Sequence, residues 1–170
     1  MGTRVIQGTN RLTLSDSDVS RAKNAAYKIL SYRPMSVFEM EGKLKKKGFG
    51  AETIDETVKK LQELQLLNDE KYAYETARTM ANLKGHGCYN ITRKLQGKGI
   101  DRCLAERAVK KVYEETGEAE FALRLVLKKT GGSAPGIEDK GRIGRYLQYK
   151  GYSWDIIKEV LRDIDDRERN

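Results

Sequence analysis

Leucine, two variable residues, lysine, glycine and an apolar residue occur three times in this chain, as LKKKGF at 44–49, LQGKGI at 95–100 and LQYKGY at 147–152. The copies begin 51 and then 52 residues apart. A shift of 51, with no gap, also lays Ala22 on Ala73, Ala26 on Ala77, Lys43 on Lys94, Val58 on Val109 and Lys59 on Lys110. A shift of 52 lays Ile91 on Ile143, Arg93 on Arg145, Val109 on Leu161 and Val112 on Ile164. Self-similarity at one period over a whole segment marks a tandem array of small units, each too small to bury much on its own and each helped by its neighbours. The expected division is an N-terminal extension at 1–17, then repeats at 18–68, 69–117 and 118–170.

The apolar spacing inside the first repeat is helical. Ala22, Ala25, Ala26, Ile29 and Leu30 form one stripe, Val37, Met40 and Leu44 a second, and Ile54, Val58 and Leu61 a third. Three helices per repeat follow, each expected to run about 12 to 14 residues, so about 20 Å. Pro34 is expected to stop the first helix, and SVFE at 36–39 reads as a capping box opening the second. The repeated motif then reads as the end of that second helix. A glycine past the last turn takes the left-handed conformation, the lysine before it meets the negative end of the helix dipole, and the next apolar residue folds back.

The third repeat is more diverged. Its first helix aligns by a shift of 49, as Tyr72-Ala73 on Phe121-Ala122, which leaves three extra residues in the loop TGGSAPGIEDK. Residues 1–17 carry weak strand-like alternation in RLTL and are otherwise polar, so they read as disordered or as an appendage.

Composition narrows the function classes. Two cysteines, Cys88 and Cys103, and one histidine, His86, are too few for a four-ligand zinc site, and no cofactor motif is present. His86 and Cys88 lack a third orienting group for nucleophilic catalysis, so an enzyme is not expected. No apolar run reaches the roughly 20 residues of a membrane span, and the first residues lack a signal-peptide core, which points to a soluble cytoplasmic chain. Net charge is +8, divided as +4, +3 and +1 among the segments cut at 68 and 117. That surplus favours an acidic or polyanionic partner, although a generally basic surface also serves solubility.

The segment SYRPMSVFEMEGKLKKKGF at 31–49, followed by Ile54, Val58 and Leu61 and by LLNDEKYA at 66–73, closely resembles the RecX regulatory proteins of bacteria. Arg78, Lys84-Gly85, Ile91, Leu95 and Lys98-Gly99-Ile100 resemble the second module of that family, and the resemblance covers about 18–165. Two departures stand out: GHGCYNI lacks the proline common after its glycine, and Gln65 occupies a position where glycine or a small residue is usual. The resemblance implies an all-α fold, an elongated, curved tandem array of three three-helix repeats, each helix-turn-helix-like. It also implies a monomer that binds the RecA filament on single-stranded DNA, lies in its groove, and modulates, usually inhibits, ATP hydrolysis, strand exchange and coprotease activity. Linked weak contacts suit such a role, because effective concentration raises total affinity without a tight single site.

Repetition narrows the contact candidates among many cations. Lys43 with Lys94, Lys47 with Lys98 and Lys150, Arg93 with Arg145, and Lys59 with Lys110 and Arg162 occupy equivalent places, so a regular array sets each group in a row suited to phosphate or to an acidic groove. Each is equally an ordinary solvated cation with helical partners such as Glu39 for Lys43 or Asp55 for Lys59. Tyr89, Tyr146, Tyr149 and Trp154 are either core or supplementary contacts. The competing reading is a tandem helix-turn-helix protein that binds DNA directly, weakened by the absence of a repeated base-reading side-chain set. Weak, salt-sensitive DNA binding is compatible with either reading, and a generic helical scaffold is a third, since fold does not fix function.

Overall fold

The structure, a computed structural model, describes residues 16–114, 116–131 and 139–169. Every regular element of more than one turn among them is an α-helix: α1 Asp16–Leu30, α2 Val37–Lys46, α3 Ala51–Glu63, α4 Asp69–Lys84, α5 Cys88–Gln96, α6 Arg102–Tyr113, α7 Glu118–Lys129, α8 Lys140–Lys150 and α9 Trp154–Arg169. The order is three helices, three times, as the apolar stripes require. Two compact units form: one contains α1, most of α2 from Met40, and α3; the other contains Met35–Glu39 and the chain from Asn68 onward.

In the first unit α1 packs on α3. Ala22 and Ala26 are fully buried, and small side chains at this spacing let two helix backbones approach closely. Met40, Leu44 and Leu61 are likewise fully buried, so the three stripes read from the sequence mark the buried faces, with Ala25, Leu30 and Val37 only half-buried. In the second unit α4 to α6 enclose Ala73, Ala77, Ile91, Leu95 and Val109. Helices α7 to α9 enclose Ala122, Val126, Ile143, Leu147, Ile157 and Ile164. Each buried Leu or Ile contributes roughly 1.5–3 kcal/mol.

Two local expectations need correction. The second helix of each repeat is shorter than 12 residues, at 10, 9 and 11 for α2, α5 and α8. The cause is the lysine-glycine turn, which ends the helix where its buried leucine sits. Helix α1 ends at Leu30, ahead of Pro34 as expected, and Ser31 just past it donates its N–H to the Tyr27 carbonyl at 2.9 Å and its Oγ to the Lys28 carbonyl at 2.8 Å. Helix α1 begins at Asp16, so the last two residues assigned to the N-terminal extension are helical. Residues 1–15 and most of the 130–140 loop lie outside the described residues. Gln65, where the family resemblance favours glycine, has φ 56°, the one positive-φ non-glycine among the described residues. A glycine there adopts this conformation without a Cβ penalty.

Candidate interaction surface

The repeated motif forms the same hydrogen-bonded turn in all three places. Phe49, Ile100 and Tyr152 donate their N–H groups to the carbonyls of Leu44, Leu95 and Leu147, at 3.3, 3.1 and 3.1 Å. Gly48, Gly99 and Gly151 donate theirs to Lys45, Gln96 and Gln148, at 3.0, 2.9 and 3.0 Å. These are the paired bonds of a Schellman motif, and the glycines have φ of 86°, 77° and 90°. Leucine anchors the turn in the core, glycine supplies the left-handed residue and the apolar residue after it closes the longer bond, which accounts for three of the six motif positions.

The lysine has a further part, visible inside the second unit. Ser36 donates its Oγ to the Lys98 carbonyl at 2.6 Å, and the same Oγ accepts the Glu39 N–H at 3.2 Å. The Lys98 ammonium in turn pairs with the Glu39 carboxylate, which also accepts the Tyr72 hydroxyl at 3.0 Å. Serine therefore caps its helix as the sequence suggests while its neighbours bind the next repeat's turn. The backbone N–H of Val37 is taken by Asp69 at 2.9 Å.

A second join repeats the first, 51 residues on. Gly87 donates its N–H to the Lys150 carbonyl at 2.9 Å, Tyr89 to the Gly151 carbonyl at 3.2 Å, and Asn90 its Nδ2 to the Tyr149 carbonyl at 2.9 Å. The Lys150 ammonium donates to the Lys84 carbonyl at 2.7 Å. The Cys88 N–H is taken by Glu118 at 2.7 Å, matching Asp69 on Val37. Contact at both turns is close enough to exclude a Cβ: one built on Gly99 lies 2.2 Å from the Phe38 side chain, and one on Gly151 lies 2.7 Å from the Asn90 backbone nitrogen. Phe38 and Tyr89 are equivalent positions, so an aromatic residue lies at each join. Sequence reasoning missed Ser36, Asp69, Asn90 and Glu118 here. The available signal was the acid shared by Asp69 and Glu118 at a shift of 49 and the aromatic shared by Phe38 and Tyr89 at 51.

The ten candidate cations fall into two groups. Lys43, Lys47, Lys59, Arg93, Lys94, Lys110, Arg145 and Arg162 are exposed. Lys98 and Lys150 are half-buried and committed to the joins just described. Lys60 pairs with Glu56 at 2.9 Å, so the helical acid partner on α3 serves Lys60. Lys110 lines an open depression of about 520 Å³ with Cys88, Thr92 and Glu106. Tyr89, Tyr149 and Trp154 are exposed, whereas Tyr146 packs beside the core with the Lys129 ammonium 4.6 Å from its ring centre.

The titratable groups of the second unit are set for structure. Burial pushes the Cys88 thiol well above its usual range, and the Glu118 carboxylate, 2.9 Å from its Sγ, adds to this. His86 is held below the usual imidazole value by burial and by nearby Lys150. A neutral imidazole beside a protonated thiol is not an activated nucleophile pair. Cys103 is exposed. Ellman's reagent at pH 7.5 is therefore expected to titrate one thiol per native chain quickly and the second on the order of a hundredfold more slowly. Equal rates would show that Cys88 is not held as described. Among the described residues no cluster of His, Cys, Asp and Glu could hold a metal, and no helix is long and apolar enough to cross a membrane.

Comparison with known proteins matches each repeat. Family models described as the first, second and third three-helix domains of RecX match residues 22–61, 68–109 and 118–161. The Regulatory protein RecX of Prosthecochloris aestuarii is 31% identical over 152 residues, covering 89% of this chain and 98% of its own length. That of Clostridioides difficile is 32% identical over 155 residues, covering 89% of this chain and 71% of its own. The crystal structure of RecX from Lactobacillus salivarius superposes with a TM-score of 0.77 at 30% identity, covering 89% of this chain and 99% of the other.

Proposed function

We propose, from the fact that this chain belongs to the RecX family, that it is a cytoplasmic regulator of the RecA recombinase, acting by binding along the RecA filament on single-stranded DNA and lowering its ATP hydrolysis. The observation that carries the reading is the likeness to regulatory proteins over nearly the whole of both chains. Physical features support it. The chain is basic, its cations recur at equivalent exposed positions, and the filament is a polyanion wrapped in a repeating protein. The three-helix repeats follow the filament by many modest contacts, and the exposed candidates Lys43, Lys47, Lys59, Arg93, Lys94, Lys110, Arg145 and Arg162 carry them. Monomeric binding without catalysis meets every requirement of this role.

Direct DNA binding by tandem helix-turn-helix units is the alternative favoured by those same cations. The test is single-stranded-DNA-dependent ATP hydrolysis by the cognate RecA, titrated with this protein, beside binding of this protein alone to the same DNA at the same salt. Hydrolysis is expected to fall at concentrations where free DNA is hardly bound. Unchanged hydrolysis with tight binding to bare DNA would replace the proposal with the alternative.

A further inference from the structure

Three copies of the lysine-glycine turn and two joins leave one turn over. At Gly99 and Gly151 the turn receives the first residues of the preceding repeat's second helix, and a Cβ on either glycine collides with them. The first copy, Leu44–Phe49, has the same two backbone bonds and the same glycine conformation, at φ 86°. Yet no described atom lies within 4 Å of a Cβ built on Gly48, and Lys47 and Gly48 are exposed. Lys47 makes no ion pair among the described residues, whereas its equivalents Lys98 and Lys150 are both engaged.

The surroundings of this turn differ in charge from the filled ones. Around Gly48 stand Lys43, Lys45, Lys46 and Lys47, all exposed. The equivalent positions around Gly99 are Lys94, Gln96, Gly97 and Lys98, and around Gly151 they are Tyr146, Gln148, Tyr149 and Lys150. Only the open turn is polycationic. That charge rejects the two occupants the chain could supply. The leftover helix start of the third repeat, Asp139-Lys140-Gly141-Arg142, has glycine where Phe38 and Tyr89 stand and carries two cations, so a second copy meets like charge. Residues 1–15 contain Arg4 and Arg11, no acid and no aromatic ring.

We propose that the turn Leu44–Phe49 is an open copy of this socket and receives the first turn of a helix from an acidic partner protein, with an aromatic side chain over Gly48 and a carboxylate on Lys47. The filled socket at Gly99 supplies the template, since Phe38 covers that glycine while Glu39 pairs with Lys98; at Gly151 the same places are taken by Asn90 and by the Lys84 carbonyl. The inference deepens the proposed function by assigning this lysine cluster to protein, and it rests on that function only for which protein the partner is.

The probe is a synthetic peptide of sequence RPMSVFEMEG, residues 33–42 of this chain, titrated into the full ¹⁵N-labelled protein. The amides of Gly48 and Phe49 are expected to shift progressively. A peptide with alanine for its phenylalanine and lysine for the following glutamate is expected to bind at least about tenfold more weakly, as is the Lys47→Glu protein, whereas Lys28→Glu, at an exposed lysine on α1, binds as the parent does. Gly48 unmoved at millimolar peptide, equal response to both peptides, or response to a single-stranded oligonucleotide alone would each overturn the proposal. Because the titration contains no RecA, failure of the RecA assay removes the proposed function and leaves this result standing.

Discussion

Alanine at Gly151 is expected to destabilise the protein by about 2–5 kcal/mol, against about 1 kcal/mol for alanine at Gly48. The two glycines share a motif, a helix position and a left-handed backbone, at φ 90° and 86°. Any L-residue loses about the same amount at either site from that conformation alone. What differs is the space beyond the Cα. At Gly151 a Cβ meets Asn90 at 2.6 to 2.8 Å, including its backbone nitrogen, and backbone held by its own helix cannot yield cheaply. At Gly48 it meets nothing described. The difference in urea-denaturation midpoints between the two variants, followed by circular dichroism, measures the join separately from the helix cap. Equal losses at both positions would mean that the second-unit join contributes little.

Reversing charge at Arg93, Lys94 and Lys110 together is expected to raise the concentration of this protein needed to inhibit RecA ATP hydrolysis roughly tenfold to a hundredfold. All three are exposed and none makes an ion pair among the described residues, so their replacement by glutamate breaks no fold contact and helicity stays at the parent level. Lys98 belongs to the same sequence row but is left alone. Its ammonium is tied to Glu39, and reversing it would put two carboxylates together and confuse a lost contact with a damaged join. Added salt is expected to narrow the gap between parent and variant, because exposed charges are screened over about 8–10 Å. Inhibition unaltered by the triple change, with intact circular dichroism, would remove these cations from the contact surface.

Much of the helical plan was legible because it depends on short-range spacing. The stripes Ala22-Ala26-Ile29, Met40-Leu44 and Ile54-Val58-Leu61 predict which faces are buried, and a leucine five residues before an apolar partner, with glycine between, predicts the Schellman turn. The shared identity of the turn lysines was equally visible, but their work was not. From spacing alone Lys47, Lys98 and Lys150 form one row. In the structure Lys98 and Lys150 engage partners 59 and 66 positions away, which no local pattern encodes. Helix length failed for a related reason. Apolar periodicity says which side faces inward, whereas the stopping point is set by hydrogen bonds at the end, such as the Gly99 N–H on the Gln96 carbonyl, that replace the next helical turn. Cys88 shows the limit for chemistry. Its neighbour His86 invites a nucleophile reading, and only the fold buries the thiol, which raises its pKa, and adds the Glu118 carboxylate beside it.

The Schellman glycine of one repeat is also the seat for the helix start of the repeat before it, so both halves of every joint are written within a single 51-residue period. In-frame duplication of one such period in a gene would therefore deliver a new module already carrying its own connector at each end. No separate linker has to arise, and an array of this kind can lengthen by copying alone.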